Sequence, residues 1–182
     1  MTSLIRHFRK FGAPELPIFD FSLPALLEKV RVDFPELQSR RITVWVRVQP
    51  PLACVHRDDD EIVIHLHSVL NHARTPELVI GFILQHELLH MLIPRREVQG
   101  RVTIHPPEFW DAERKFPNRI AALNWLFMSL GPCLRRDKKQ QGVVVTRRWG
   151  ACMDEKRLSL KQVADILNMP GLVRNFEDEP MF

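Results

Sequence analysis

FILQHELLHMLIPRREVQGRVTIHPPEFW, residues 82–110, is the stretch from which the rest of the 182-residue chain can be read. Its centre is His86-Glu87-Leu88-Leu89-His90. Side chains four positions apart stack on one face of an α-helix, so the imidazoles of His86 and His90 can converge on a single metal ion. Neutral imidazole suits Zn²⁺, and a catalytic zinc takes three protein ligands and keeps its fourth position for water. Glu87 stands beside them as the candidate base for that water.

The flanks agree with a helix. Pro76 and Glu77 open it after Thr75, an expected N-cap, and Pro94 closes it. Leu78, Val79, Phe82, Ile83, Leu84, Leu88, Leu89 and Leu92 leave little of its circumference polar. A helix that is apolar nearly all round belongs in the centre of a domain, which predicts that the two histidines lie at the floor of a cleft.

A third ligand is expected from His105, fifteen residues after His90, where Pro106 and Pro107 fix the chain just before a new helix. Glu108 competes with it, because Glu108 to Ala112 forms an E-x-x-x-A pattern that resembles the gluzincins. A metzincin arrangement is disfavoured, since Ile93 to Arg96 reads I-P-R-R where glycine and histidine are required. With its helical H-E-x-x-H, a short basic loop and a histidine in H-P-P-E-F-W, the span from about 60 to 116 resembles the SprT-like (Spartan-like) zinc metallopeptidases and the related WLM and YgjP-like peptidases. That context favours His105 over Glu108. The resemblance implies a compact single-domain α+β, zincin-like fold, with a small mixed β-sheet packed on a central H-E-x-x-H helix and further helices around it. It also implies one Zn²⁺ per chain on His86, His90 and His105, hydrolysis of peptide bonds by a zinc-bound water with Glu87 as base, and proteins on DNA as substrates.

The remainder of the chain reads as scaffold. With 45% apolar and 26% charged residues it can bury one core. Residues 1–19 form a basic N-terminal arm, residues 20–130 the metallopeptidase core, and residues 131–182 a basic hairpin and closing helix of the same domain. Ser22 caps a packing helix carrying Leu23, Leu26, Leu27, Val30 and Phe34 at helical spacing, with Pro24 in its first turn. Two β-rich runs follow, Ile42 to Val48 and Ile62 to Leu66, with Asp58-Asp59-Asp60 as a turn between them and Val44, Val46 and Val48 on one face. Helices are expected from Asp111 to Arg114 and from Asn118 to about Leu130, stopped by Gly131-Pro132, and a last one from Leu158 to Asn168.

His65 and His67 alternate onto one strand face, with His56 and His72 near them in sequence. The exposed face of an edge strand accounts for them, with a second metal as the sharper alternative; the resemblance makes them candidates for substrate contact. Trp110 and Trp125 are expected in packing roles. Arg135, Arg136, Lys138 and Lys139, then Arg147 and Arg148 beside Trp149, form the one stretch with a composition suited to DNA, through phosphate contacts and base stacking. The formal charge of +4 does not decide between that role and a solvated surface.

Cys54, Cys133 and Cys152 are odd in number and form no C-x-x-C, which points to a reducing, cytoplasmic compartment. The cysteine-rich ribbon that follows the protease domain in many SprT-like proteins therefore has no counterpart in these residues. No long apolar run suggests a membrane span or a secretory leader. The chain has no tyrosine, so an oxyanion would have to be met by histidine, arginine, asparagine or backbone N–H. A non-catalytic, zinc-stabilised module that binds nucleic acid or protein is the alternative; it has no need of Glu87 and would ask for four protein ligands.

Overall fold

The computed structural model describes residues 14–49, 51–58, 61–98, 101–137, 142–146 and 149. The basic arm up to residue 13 and the expected closing helix from Leu158 to Asn168 lie outside them. Helices and strands are both present in quantity, in an α+β arrangement.

Helix α1, Leu23–Arg31, starts where Ser22 Oγ accepts a hydrogen bond from the Ala25 N–H, as its sequence signals. Leu23, Leu26, Leu27 and Val30 form its buried stripe. Arg31 turns inward and donates to the carbonyls of Leu37, Gln38 and Arg40 at 3.2, 2.8 and 3.1 Å, satisfying the turn that leads into the sheet.

The sheet has three strands: β1, Arg41–Arg47; β2, Ala53–Asp58; and β3, Glu61–His67. Their spatial order is β1-β3-β2, with β3 parallel to β1 (Ile42 opposite Ile62) and antiparallel to β2 (Val55 opposite Ile64). It is therefore a small mixed sheet. Asp58 pairs with Glu61 where β2 meets β3, so the expected turn falls between these two strands rather than between β1 and β3. Val44 and Val46 pack toward the core, whereas Val48 lies past the end of β1 and is exposed.

Residue pairing places Ile62, Ile64 and Leu66 on the face shared with Val44, Val46 and Val55, and that face joins the helices in one core. Helix α2, Glu77–Leu92, runs through it with Val79, Ile80, Phe82, Ile83, Leu84 and Leu88 buried. Pro76, not Thr75, occupies its cap position, and no side chain caps the helix; Thr75 is buried one residue earlier, its N–H donating to the His72 carbonyl. After α2 come a short hairpin, β4 (Arg96–Val98) with β5 (Arg101–Thr103), then α3, Pro107–Glu113, and α4, Arg119–Leu130. A 3₁₀ turn, Gly131–Cys133, stops α4 where the Gly-Pro pair predicts. The hairpin of β6 (Leu134–Asp137) and β7 (Gly142–Val145) contributes Leu134 and Val145 to the same core. Among the described residues no helix is long and apolar enough to cross a membrane.

Candidate metal centre

Helix α2 brings His86 and His90 onto one face near its C-terminal end, and the chain returns through the β4–β5 hairpin to set His105 over them. Pro106 caps α3 and Pro107 is its first residue, so His105 is held by a fixed helix start, as the two prolines predict. The His86 and His90 Nε2 atoms are 3.3 Å apart, and those of His90 and His105 3.1 Å. Phe109, wholly buried, closes the apolar side, its ring centre 4.9, 4.6 and 4.6 Å from those of His86, His90 and His105.

These residues fit a metal ion. Two Zn–N bonds of about 2.0–2.1 Å at a tetrahedral angle place their nitrogens about 3.3–3.4 Å apart, close to the separations found here. Unprotonated nitrogens facing one another at that range repel unless a cation or a proton lies between them. Among the described residues this is the one grouping of three or more histidine, cysteine or carboxylate side chains able to hold a metal ion together. The second metal site weighed for His56, His65 and His67 finds no such grouping.

Glu108 is not part of the cluster. Its Oε1 lies 2.6 Å from Arg96 Nη1 in an exposed ion pair. The unforeseen member is Glu113, a buried residue at the end of α3. Its Oε2 lies 2.7 Å from His86 Nδ1, and its Oε1 accepts from Arg119 Nε at 3.0 Å. Nothing local in the sequence marks Glu113, because it meets His86 only through the α2–α3 packing.

Charge separates the three imidazoles. Burial lowers His90 to about 3, helped by His86, His105 and Arg95, and lowers His105 to about 4, with His86 acting in the same direction. Both are thus neutral with lone pairs available at pH 7. Burial also opposes charge on His86, but the Glu113 hydrogen bond and the charges of Glu87 and Glu113 outweigh it and raise its pKa. The same pair of acids would favour a metal cation at this position. Glu113 is held below the usual carboxylate range, its burial overcome by His86 and Arg119. Burial pushes Glu87 up to about 7 against the pull of His86. Glu87 is only 5% exposed.

The other sequence candidates fall elsewhere. β3 is the central strand, so His65 and His67 are buried rather than on the exposed face of an edge. His65 Nδ1 accepts from Arg47 Nε at 2.9 Å, and His67 Nδ1 from the Val69 N–H at 2.9 Å. The His56 ring meets that of His65 edge-on, and His72 accepts from the Arg74 N–H in a turn. Trp125 packs on the core as expected, but Trp110 is 36% exposed and lies against His105, ring centres 4.9 Å apart. Arg135 is exposed on β6, while Lys138, Lys139, Arg147 and Arg148 lie outside the described residues. No protein-family model, curated protein or solved structure matches the chain.

Proposed function

We propose that this chain is a zinc-dependent metallopeptidase with a zincin-like fold, in which His86, His90 and His105 hold the metal and Glu87 is the general base. The observation that carries this reading is the convergence of three imidazole nitrogens beside a desolvated carboxylate one helix position away. Bound there, zinc would supply Lewis-acid polarisation of a carbonyl and make water acidic enough to lose a proton near neutral pH. Glu87 takes that proton on its carboxylate and returns it to the leaving amine, a task suited to a carboxyl whose affinity for protons burial has raised. Phe109 excludes water from one side of the cluster, and Trp110 offers a flat apolar surface to a substrate chain beside His105.

The substrate class proposed is protein bound to DNA, recruited through the basic stretch from Arg135 to Trp149. A cytoplasmic setting belongs to the same proposal, supported by Cys54 and Cys133, thiols that donate to Gln49 Oε1 and the Trp149 carbonyl. The test is cleavage of an unfolded protein by the purified chain, with metal content measured on the same sample. Activity that chelation removes and Zn²⁺ restores supports the proposal. Full zinc occupancy without cleavage leaves the non-catalytic zinc module as the better reading.

A further inference from the structure

The geometry points to a positioning chain, Arg119 to Glu113 to His86, that decides which nitrogen of His86 faces the metal; this rests on the metal site proposed above. Glu113 is the last residue of α3, where the helix dipole disfavours an anion, and it is only 3% exposed. A buried carboxylate in such a place needs both its oxygens satisfied. Backbone bonds from Phe116 N–H to Glu113 O and from Arg119 N–H to Phe116 O tighten the link between α3 and α4. Asn118 completes that turn with φ 58°, the left-handed conformation that asparagine tolerates, and α4 then opens on Arg119. Arg119 Nε consequently reaches back to Glu113 Oε1 at 3.0 Å.

A guanidinium only donates and a carboxylate only accepts. With Oε1 engaged by Arg119, Oε2 calls for a proton on His86 Nδ1, 2.7 Å away. The lone pair of His86 then lies on Nε2, the atom facing His90 Nε2. Arg119 thus acts on the metal site without touching it: it fixes Glu113, and Glu113 fixes both the ring and the tautomer of His86.

Glu113→Gln separates this role from a merely structural one, because glutamine matches the carboxylate in size but has one acceptor. If the amide oxygen faces Arg119, its NH₂ faces His86 Nδ1, which must then accept, and the proton moves to Nε2 where the metal belongs. If the amide turns round, two donors meet at Arg119. Either way zinc affinity should fall by about 10–100-fold. Arg119→Met alone should weaken zinc, since Glu113 loses the donor that holds its carboxylate in place against His86. In the double variant the amide oxygen is released to His86, so zinc should bind more tightly to Glu113→Gln/Arg119→Met than to Glu113→Gln.

The experiment is zinc competition against a chromophoric chelator for the wild type and these three variants, with far-UV circular dichroism of each metal-free protein to confirm folding. Long-range ¹H–¹⁵N spectra of the metal-free wild type at pH 9 add a measurement that needs no variant. Rescue in the double variant, with the His86 proton on Nδ1 in the wild type, supports the inference. Additive losses, unchanged zinc affinity in Glu113→Gln, or a wild-type proton on Nε2 overturns it while leaving the metal site in place. A wild type that takes up no zinc overturns the site and this inference together.

Discussion

Arg96 Nη1 and Glu108 Oε1 are 2.6 Å apart, an exposed ion pair between β4 and α3 that holds Glu108 apart from the grouping of His86, His90 and His105. His105, three residues earlier, points its Nε2 at His90 instead. His105→Ala should therefore weaken zinc binding by more than about 100-fold, beyond what loss of an outer partner costs. Glu108→Ala, which breaks one exposed ion pair worth about 0.2–1 kcal/mol, should keep full occupancy. Elemental analysis after dialysis distinguishes them; the reverse pattern would sink the ligand assignment.

Glu87→Gln should fold and retain zinc yet lose cleavage of an unfolded protein by roughly 10²–10⁴-fold, because an amide cannot take a proton from water. Undiminished turnover by that variant would refute the base assignment.

His67 gives the fold an acid limit of its own. Burial lowers it to about 4, partly countered by Glu15, and its Nδ1 accepts the Val69 N–H, a bond available only to the unprotonated ring. The unfolded chain takes up this proton near 6.5, so His67's stabilisation is complete above that pH and is lost as pH falls from 6.5 to 4, by at most about 3 kcal/mol. Urea titrations of the metal-free protein at pH 7.5 and 5 should show a smaller pH effect in His67→Gln. Equal losses in both proteins would remove His67 as a cause.

Phe109 has no exposed surface and faces all three histidines. Phe109→Ala should cost about 3–5 kcal/mol in the metal-free protein, the range for emptying such a site. Phe109→Leu, closer in volume, should cost less and keep more zinc affinity. Denaturant midpoints and chelator competition on the two variants check the order.

If the basic stretch recruits protein on DNA, phosphate contacts should dominate binding and affinity should fall steeply with salt. Replacing Arg135, Arg136, Lys138 and Lys139 with glutamine should flatten that slope without changing zinc content. No DNA binding at low ionic strength, with cleavage of unfolded protein intact, would favour a general peptidase.

How far the sequence could be read depends on the range of the forces involved. The α2 helix, its two histidines, His105 before a proline-led helix, and the Ser22 cap are signalled by residues close together in the chain, and all are found. β2 carries no comparable signal, because Ala53-Cys54-Val55-His56 is short, weakly apolar and preceded by two prolines. The buried state of His65 and His67 depends on β3 lying between two strands, and strand order has no local signature. Glu113 reads only as a helical residue, because its partner is 27 residues away. Nothing in H-x-x-x-F-W says which of its two aromatic rings turns inward; Phe109 does, and Trp110 does not.

β3 lies between β1 and β2 although it follows both in the chain. The β2–β3 hairpin can close by itself within about 1–10 μs, but β1 must dock in parallel against a strand 20 residues further on, Ile42 beside Ile62. During synthesis, then, Ile42, Val44 and Val46 wait without their β3 partner until His67 has been made, and the helix that carries His86 and His90 follows only after that. A nascent chain cut short before β3 is made leaves the β3-facing edge of β1 open, the kind of surface that draws chaperones or other copies of itself.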